Sequence, residues 1–493
     1  MPLFLWQRDK MITVMIDTAS KVPIYEQIYT YIREEIRNGG IACGTRLPSS
    51  RGLANYLEVS RNTIDMAYGQ LISEGYMESI PKKGYYVCAL ENLYDDGLYR
   101  ERKDHIEVPI DRTEQQTDLQ RQKSEYIVDF SLSGVDMDYF PYSKWRKLTK
   151  ECLIDDNKEL FLAGAHQGDL ELRRAVQTYL HQARGVQCDV SQIIIGAGSD
   201  YMLLLLSRIM DEHNVVAMEN PTYKQAYTIF QSMGYVIVPV SVDDQGMNID
   251  ELRKTDANVA YVTPSHQFPR GTVMSANRKR QLLAWAAAKE NRYIIEDDYD
   301  SEFRYAGKPI PALQSQDPFG KVIYIGTLSK VIAPAIRLSY MVLPQEWMER
   351  YHKTAGFYFS TVSRIDQWVI SRFFLQGHFE RHLNRMRKSY SRKHEALLDG
   401  LKPFLGQFDL SGENAGLHLL LTDRVGRSEK ELVNAARRQG VKVYGLSSAL
   451  VGAAVPEAVC RATVLIGFGG LTEDEIRDGL ERLAAAWLIE KRL

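Results

Sequence analysis

From Tyr126 onward short apolar runs alternate with amphipathic stretches, and this alternation constrains the fold more than any other feature of the chain. The runs are Ile193 to Ile195, Val215 to Met218, Val236 to Val240, Val259 to Val262, Tyr293 to Glu296, Val322 to Ile325 and Leu338 to Val342. Stretches such as Thr222 to Met233 and Asn277 to Lys289 lie between them with helical spacing. Strands that are apolar on both faces need cover on both faces. The pattern therefore predicts an α/β body with a mainly parallel sheet, flanking helices, and ligands at the carboxyl ends of the strands. After about residue 370 the rhythm changes to a long charged helix, Phe379 to Leu401. Short strands at Gly416 to Leu421, Val441 to Val443 and Val464 to Ile466 follow, then a last helix, Thr472 to Ile489. These predict a large domain over 126–370 and a smaller α+β domain over 371–493.

The chemistry-bearing residues fall at strand ends. Ile325-Gly-Thr-Leu-Ser-Lys330 ends an apolar strand in a lysine, and an ammonium facing a core must be paired or neutralised, so Lys330 is a candidate Schiff-base lysine. Tyr293-Ile-Ile-Glu-Asp-Asp-Tyr-Asp300 places acids at another strand end, and Ile193-Ile-Ile-Gly-Ala-Gly-Ser199 runs a strand through two glycines into a helix start. Together they suit pyridoxal phosphate: a helix N-terminus for the phosphate, a carboxylate for the ring nitrogen and a lysine for the aldehyde. Gly198 and Ser199 would meet the phosphate, with Thr327 and Arg337 as further phosphate or carboxylate contacts. A dinucleotide fingerprint needs a third glycine where this chain has Tyr201. Asp297 is the first choice for the ring nitrogen, with Asp298 and Glu296 as alternatives. Tyr299 is placed for the cofactor's phenolate oxygen and Tyr223 for stacking. Arg461, ahead of the strand ending in Ile466-Gly-Phe468, carries a planar fork suited to a carboxylate.

The N-terminal part has a different pattern. Ile24, Ile28, Ile32 and Ile36 mark a helix from Pro23 to Arg37. A second helix spans Ser50 to Tyr56, and Ser60 caps a third, whose inner stripe is Ile64, Ala67, Tyr68 and Leu71. Tyr76 to Ser79 and Tyr85 to Ala89 alternate as a two-stranded hairpin around Pro81-Lys-Lys-Gly84. Ten Lys/Arg against nine Asp/Glu over residues 1–90 give no broad basic excess. What points to DNA is placement, since Arg46, Arg51, Arg61, Lys82 and Lys83 all fall at helix starts or at the hairpin tip. Residues 91–125 hold ten acidic and six basic residues with few aliphatics, which predicts a solvated linker after a 20–90 unit.

The five cysteines, Cys43, Cys88, Cys152, Cys188 and Cys460, are scattered and form no CxxC, which argues against a disulfide framework or a zinc site and fits a reducing cytosol. The opening apolar run is too short for a signal peptide, and no later run is long enough to span a bilayer.

Leu47-Pro-Ser-Ser-Arg-Gly-Leu-Ala54, Val59-Ser-Arg-Asn-Thr63 and Glu74-Gly-Tyr76 resemble the winged helix-turn-helix of GntR-type bacterial regulators. That resemblance implies DNA contacts by Arg46, Arg51, Arg61, Asn62, Thr63, Lys83 and Gly84. The lysine, acid and glycine motifs resemble fold-type I aminotransferases. With the winged helix in front, the chain resembles the MocR subfamily of GntR regulators from about Pro23 to its end. The resemblance implies pyridoxal 5'-phosphate on Lys330, with Asp297, Tyr299 and Tyr223 around the ring. It also implies an amino-compound effector that forms an external aldimine in place of Lys330, and Arg461 on the effector's carboxylate. Double-stranded DNA, a head-to-tail homodimer and a cytoplasmic setting follow from it too.

Aminotransferases of this group carry Asn where this chain has Phe268, which implies a missing hydrogen bond to the cofactor and at most weak transaminase activity. Pro264-Ser-His-Gln-Phe-Pro269 and Asn414-Ala-Gly-Leu-His418 are especially similar to the γ-aminobutyrate-responsive branch. That branch has an arginine two residues after its stacking tyrosine, where this chain has Gln225, so the effector's carboxylate loses a cationic contact. The competing reading is a working aminotransferase whose N-terminal unit is a docking module.

Overall fold

In a computed structural model, residues 14, 17, 20, 22–89, 126–153, 157–305, 310–452 and 461–488 are described. The predicted linker, 91–125, lies outside them. The chain divides into an N-terminal unit and a C-terminal body.

In the N-terminal unit, helix α1 (Ile24–Arg37) buries Ile28, Ile32 and Ile36, the stripe its four-residue spacing predicts. Helix α2 (Ser50–Leu57) starts where Ser49 accepts from the Gly52 N–H, and α3 (Arg61–Ser73) where Ser60 accepts from the Thr63 N–H. These caps satisfy backbone donors that a helix start otherwise leaves unpaired. The buried face of α3 is Ile64, Ala67, Tyr68 and Leu71. Strands β2 (Met77–Ile80) and β3 (Gly84–Val87) form the predicted hairpin. A third strand, β1 (Arg46–Leu47), pairs antiparallel with β3 and makes the wing three-stranded. Sequence periodicity cannot reveal a two-residue strand.

The body is built on an eight-stranded sheet. Its strands are β5 (Ile193–Gly196), β6 (Val215–Asn220), β7 (Val236–Asp243), β8 (Gly246–Met247), β9 (Val259–Val262), β10 (Tyr293–Asp298), β11 (Val322–Thr327) and β12 (Ser339–Val342). Their spatial order is β5-β12-β11-β10-β9-β6-β7-β8. β11, β10, β9, β6 and β7 run parallel, while β12 is antiparallel to both of its neighbours and β8 to β7. Successive residues of one strand serve opposite faces: Ile295 packs in the core with Met202, Phe230 and Trp347, and Ile294 in the core with Leu282 and Trp285. The sheet is thus covered on both sides, and its parallel strands end along one edge.

The smaller domain carries an antiparallel sheet of β13 (Phe408–Ser411), β14 (His418–Asp423), β17 (Thr463–Gly467) and β16 (Tyr444–Gly445), with the 24-residue helix His378–Leu401 and the helix Glu473–Trp487 packed together beside it. Val441–Lys442 (β15) is not part of this sheet but pairs in parallel with β4 (Val128–Asp129). The Gly467 N–H also donates to Phe130 O. The first residues of the body therefore take their strand pairing from the smaller domain, an association between segments some 300 residues apart that local periodicity does not encode.

Candidate functional site

At the carboxyl edge of the large sheet lies a cavity of about 370 Å³, within the size range of small-molecule sites. Its walls include Ser199 after β5, Tyr223 after β6, Thr263 and Phe268 after β9, Asp297 and Tyr299 at and beyond the end of β10, and Thr327 and Lys330 at and beyond the end of β11. The opposite wall is Ser131, Leu132, Ser133 and Val135, the segment just after β4, with Tyr444 of β16.

The three acids of β10 are separated by their partners. Glu296 accepts from the Leu313 and Gln314 N–H groups at 2.7 and 2.8 Å. Asp298, on the same face as Glu296, holds the buried Arg184 guanidinium at 2.8 Å. Asp297 alone of the three lines the cavity, where it accepts a hydrogen bond from the Tyr261 hydroxyl. Burial pushes its carboxyl up to about 7 against the opposing effect of Tyr261, and the neighbouring charges that act on it, Asp298, Asp300 and Asp200, are all acidic. A buried acid in acidic surroundings is completed by a cationic group, the role a protonated ring nitrogen would fill.

Lys330 is half-buried, donates from Nζ to the Leu132 carbonyl at 2.7 Å, and lies 5.9 Å from the centre of the Tyr299 ring. Burial draws its pKa down while Asp300 opposes the shift, which raises the share of neutral, nucleophilic amine.

The helix Ser199–Ile209 begins at Gly198 with no side-chain cap, so its first N–H groups are open to a ligand. Gly198 has φ +93°, and a Cβ there would come within 2.4 Å of Arg337 Nη2, so both backbone and space demand glycine. Arg337 also bridges to Asp200 at 3.1 Å. Thr327 Oγ1 donates to Ser329 Oγ at 3.1 Å and accepts from the Ser329 N–H at 3.2 Å, which orders the turn leading to Lys330.

Tyr223 and Phe268 pack edge to face at 5.9 Å, and Phe268 meets Tyr299 likewise at 5.8 Å. Buried Glu219, which the sequence reading missed, secures this wall: it accepts from Thr263 Oγ1 at 2.8 Å and is raised by burial to about 7. Tyr261, His266 and Leu132 were missed as well.

Three expectations are corrected. Arg461 is exposed, precedes β17 and reaches Asp409 at 3.3 Å, and it takes no part in the cavity. Gln225 is also exposed and outside the cavity, because it sits in the first turn of the helix Lys224–Ser232 on the face turned away from the core. Tyr299 keeps its place in the cavity wall, with its hydroxyl 2.9 Å from His266 Nδ1. Thr63 spends its hydroxyl on Ser60 at 2.8 Å and serves the helix cap.

The remaining recognition residues are presented outward. Arg51, Asn62 and Lys83 are exposed, and Arg61 bridges to Asp65 at 3.4 Å with most of its side chain in solvent. Gly84, at φ +111°, lets the Arg46 guanidinium lie close over the wing, since a Cβ there would be 3.3 Å from Arg46 Nε.

Comparison with known proteins agrees with this two-part arrangement. Residues 24–87 match the gntR family of bacterial regulatory proteins, and residues 129–483 match aminotransferase class I and II. The HTH-type transcriptional regulator YdeL of Bacillus subtilis is 39% identical over 97% of this chain and all of its own length. The probable rhizopine catabolism regulatory protein MocR of Rhizobium meliloti is 30% identical over 96% of each chain. The chain belongs to the MocR-type family of transcriptional regulators.

Among solved structures, a Pyrococcus horikoshii kynurenine aminotransferase in complex with PMP matches with a TM-score of 0.66 and 23% identity, covering 79% of this chain and 98% of that one, a likeness of fold. The cofactor this fold implies is pyridoxal phosphate. A MocR-type regulator thus joins a DNA-binding unit to a body of aminotransferase architecture, and the residues of the cavity fit that cofactor: an acid in acidic surroundings, an uncapped helix N-terminus and a half-buried lysine.

Proposed function

We propose that the cavity holds pyridoxal phosphate to sense an amino compound, and that this sensing controls DNA binding by the N-terminal unit. When bound, the cofactor supplies an electrophilic aldehyde and a ring that withdraws electrons. Lys330 provides the amine that holds the aldehyde, and Asp297 keeps the ring nitrogen protonated. Gly198, Ser199, Thr327 and Arg337 hold the phosphate, and Tyr223 and Tyr299 flank the ring. The observation that carries this reading is the meeting of Lys330, Asp297 and an open helix N-terminus around one cavity of about 370 Å³.

Phe268 presents a hydrocarbon edge where a hydrogen-bond donor would serve catalysis, so the site favours recognition over turnover. The effector is an amine. With Arg461 and Gln225 outside the cavity and Arg337 on the phosphate, an anionic end of the effector falls to the serine-lined segment Ser131–Ser133. γ-Aminobutyrate is one candidate among such amines.

Leu132 lies on the segment by which the chain enters the body from residues 91–125. Any change in the partner or charge of Lys330 Nζ therefore alters a hydrogen bond on the chain that leads to the DNA-binding unit. Arg46, Arg51, Arg61, Asn62, Lys83 and Gly84 form the DNA contact, in a head-to-tail homodimer acting in the cytoplasm.

The test is a gel shift with the region upstream of the protein's own gene, with and without candidate amines, on wild type and Lys330→Ala. The reading predicts that one amine changes the wild-type shift and leaves the Lys330→Ala shift unchanged. Equal responses in both proteins would refute it, as would steady multiple turnover of an amino donor and a keto acid without DNA binding.

A further inference from the structure

We propose that His266 and Asp300 act as positioning residues that turn the Tyr299 hydroxyl proton into the cavity. The inference rests on the reading that the cavity holds a pyridoxal-type ring. His266 Nδ1 stands 3.0 Å from both Asp300 carboxylate oxygens and 2.9 Å from the Tyr299 hydroxyl, and the histidine is 2% exposed. A carboxylate only accepts, so the shared hydrogen belongs on Nδ1.

The other ring nitrogen supports this assignment. Nε2 is buried without a hydrogen-bond partner, and a glycine wall explains why. A Cβ on Gly416, at φ +77°, would fall 1.9 Å from His266 Cε1, and one on Gly271 would fall 3.3 Å from Nε2. Leaving a lone pair unmatched there costs less than burying an unpaired N–H, which either the other tautomer or a doubly protonated ring would require.

With the hydrogen on Nδ1, the Tyr299 oxygen can only accept from it. The tyrosine's own O–H is then left to donate elsewhere, and Tyr299 lines the cavity beside Lys330, Asp297 and Phe268. The proton is thereby held ready for an anionic oxygen on a bound aromatic ring. The other groups facing this trio do not compete for it. His418 lies 5.3 Å from His266 between ring centres, is held down to about 4 by burial and so is neutral, and gives its Nε2 to the Pro269 carbonyl at 2.8 Å. Lys330 acts on Asp300 through its charge and donates to Leu132. Donation by Tyr299 makes the ring oxygen less basic, and losing it lets that oxygen hold a neighbouring proton more tightly.

The test follows the visible absorbance of the cofactor-loaded protein against pH. His266→Ala should raise the midpoint by about one pH unit, the scale of one lost hydrogen bond, and Asp300→Asn should raise it less, because it also removes a negative charge that favours a protonated Lys330 nitrogen. His266→Asn, whose amide N–H can replace Nδ1–H, should stay closer to wild type than His266→Ala. In a Tyr299→Phe background neither His266 substitution should move the midpoint further, and Asp300→Asn should only lower it. Shifts of equal size in both backgrounds would overturn the proposal, as would no shift in either. A wild-type protein with no pH-dependent visible band would instead overturn the cofactor reading beneath it.

Discussion

The surface proposed for DNA and the cavity both rest on charged and polar side chains, under opposite conditions. On the N-terminal unit Arg51, Asn62 and Lys83 stand in water, and Arg61 shares an exposed ion pair with Asp65. Around the cavity Asp297, Asp300 and His266 are buried, and each is fixed by a named partner. Exposed charges act nearly independently and are screened by salt, whereas buried ones depend on their neighbours. Substitutions should therefore have large, non-additive effects in the body and small, additive ones on the winged helix.

The largest expected effect is at Gly198. Gly198→Ala places a methyl against Arg337 in a backbone conformation that L-residues avoid, at a cost of roughly 1–3 kcal/mol in strain, so phosphate-ester affinity should fall by roughly fivefold to a hundredfold by spectral titration. Retained affinity would show that the helix start is not the anchor.

Next comes the pH dependence of the cofactor-free protein. Asp297 is raised to about 7, above the usual carboxylate range. Below that range folded and unfolded states are both protonated. As pH rises toward 7 the unfolded chain loses its proton first, so stability falls across the window from about 4 to 7 and flattens above it. Asp297→Asn should remove part of that decline, as read from melting temperatures between pH 4 and 8. An unchanged slope would place Asp297 in contact with solvent or with a cation.

Smaller effects belong to the surface. Lys83→Ala should weaken DNA binding with little dependence on sequence and reduce the salt slope by about one. Smallest of all, Arg461→Ala should leave the effector response within about twofold, since the side chain is exposed and meets Asp409. A large loss would restore Arg461 to the site and blur the contrast between buried and exposed charge.

These differences track what could be read from the chain. The helix cap at Ser60, the stripe of α1 and the strand-end positions of Lys330 and Asp297 are local patterns, and each was legible. The choice among Glu296, Asp297 and Asp298 was not, because it depends on partners from other strands: Tyr261 for one and Arg184 for another. Leu132 and Lys330 are 198 residues apart, and no periodicity links them. Arg461 was misplaced because the sequence sets it ahead of a strand but does not show that its side chain turns to Asp409 of β13.

The central claim is that one amine in the cavity carries the sensing chemistry. Borohydride reduction of the pyridoxal-phosphate-treated protein, followed by peptide mapping, tests it directly. The account predicts a single pyridoxyl label, on Lys330, that is absent from Lys330→Ala. Label spread over surface lysines, or none at all, would contradict it.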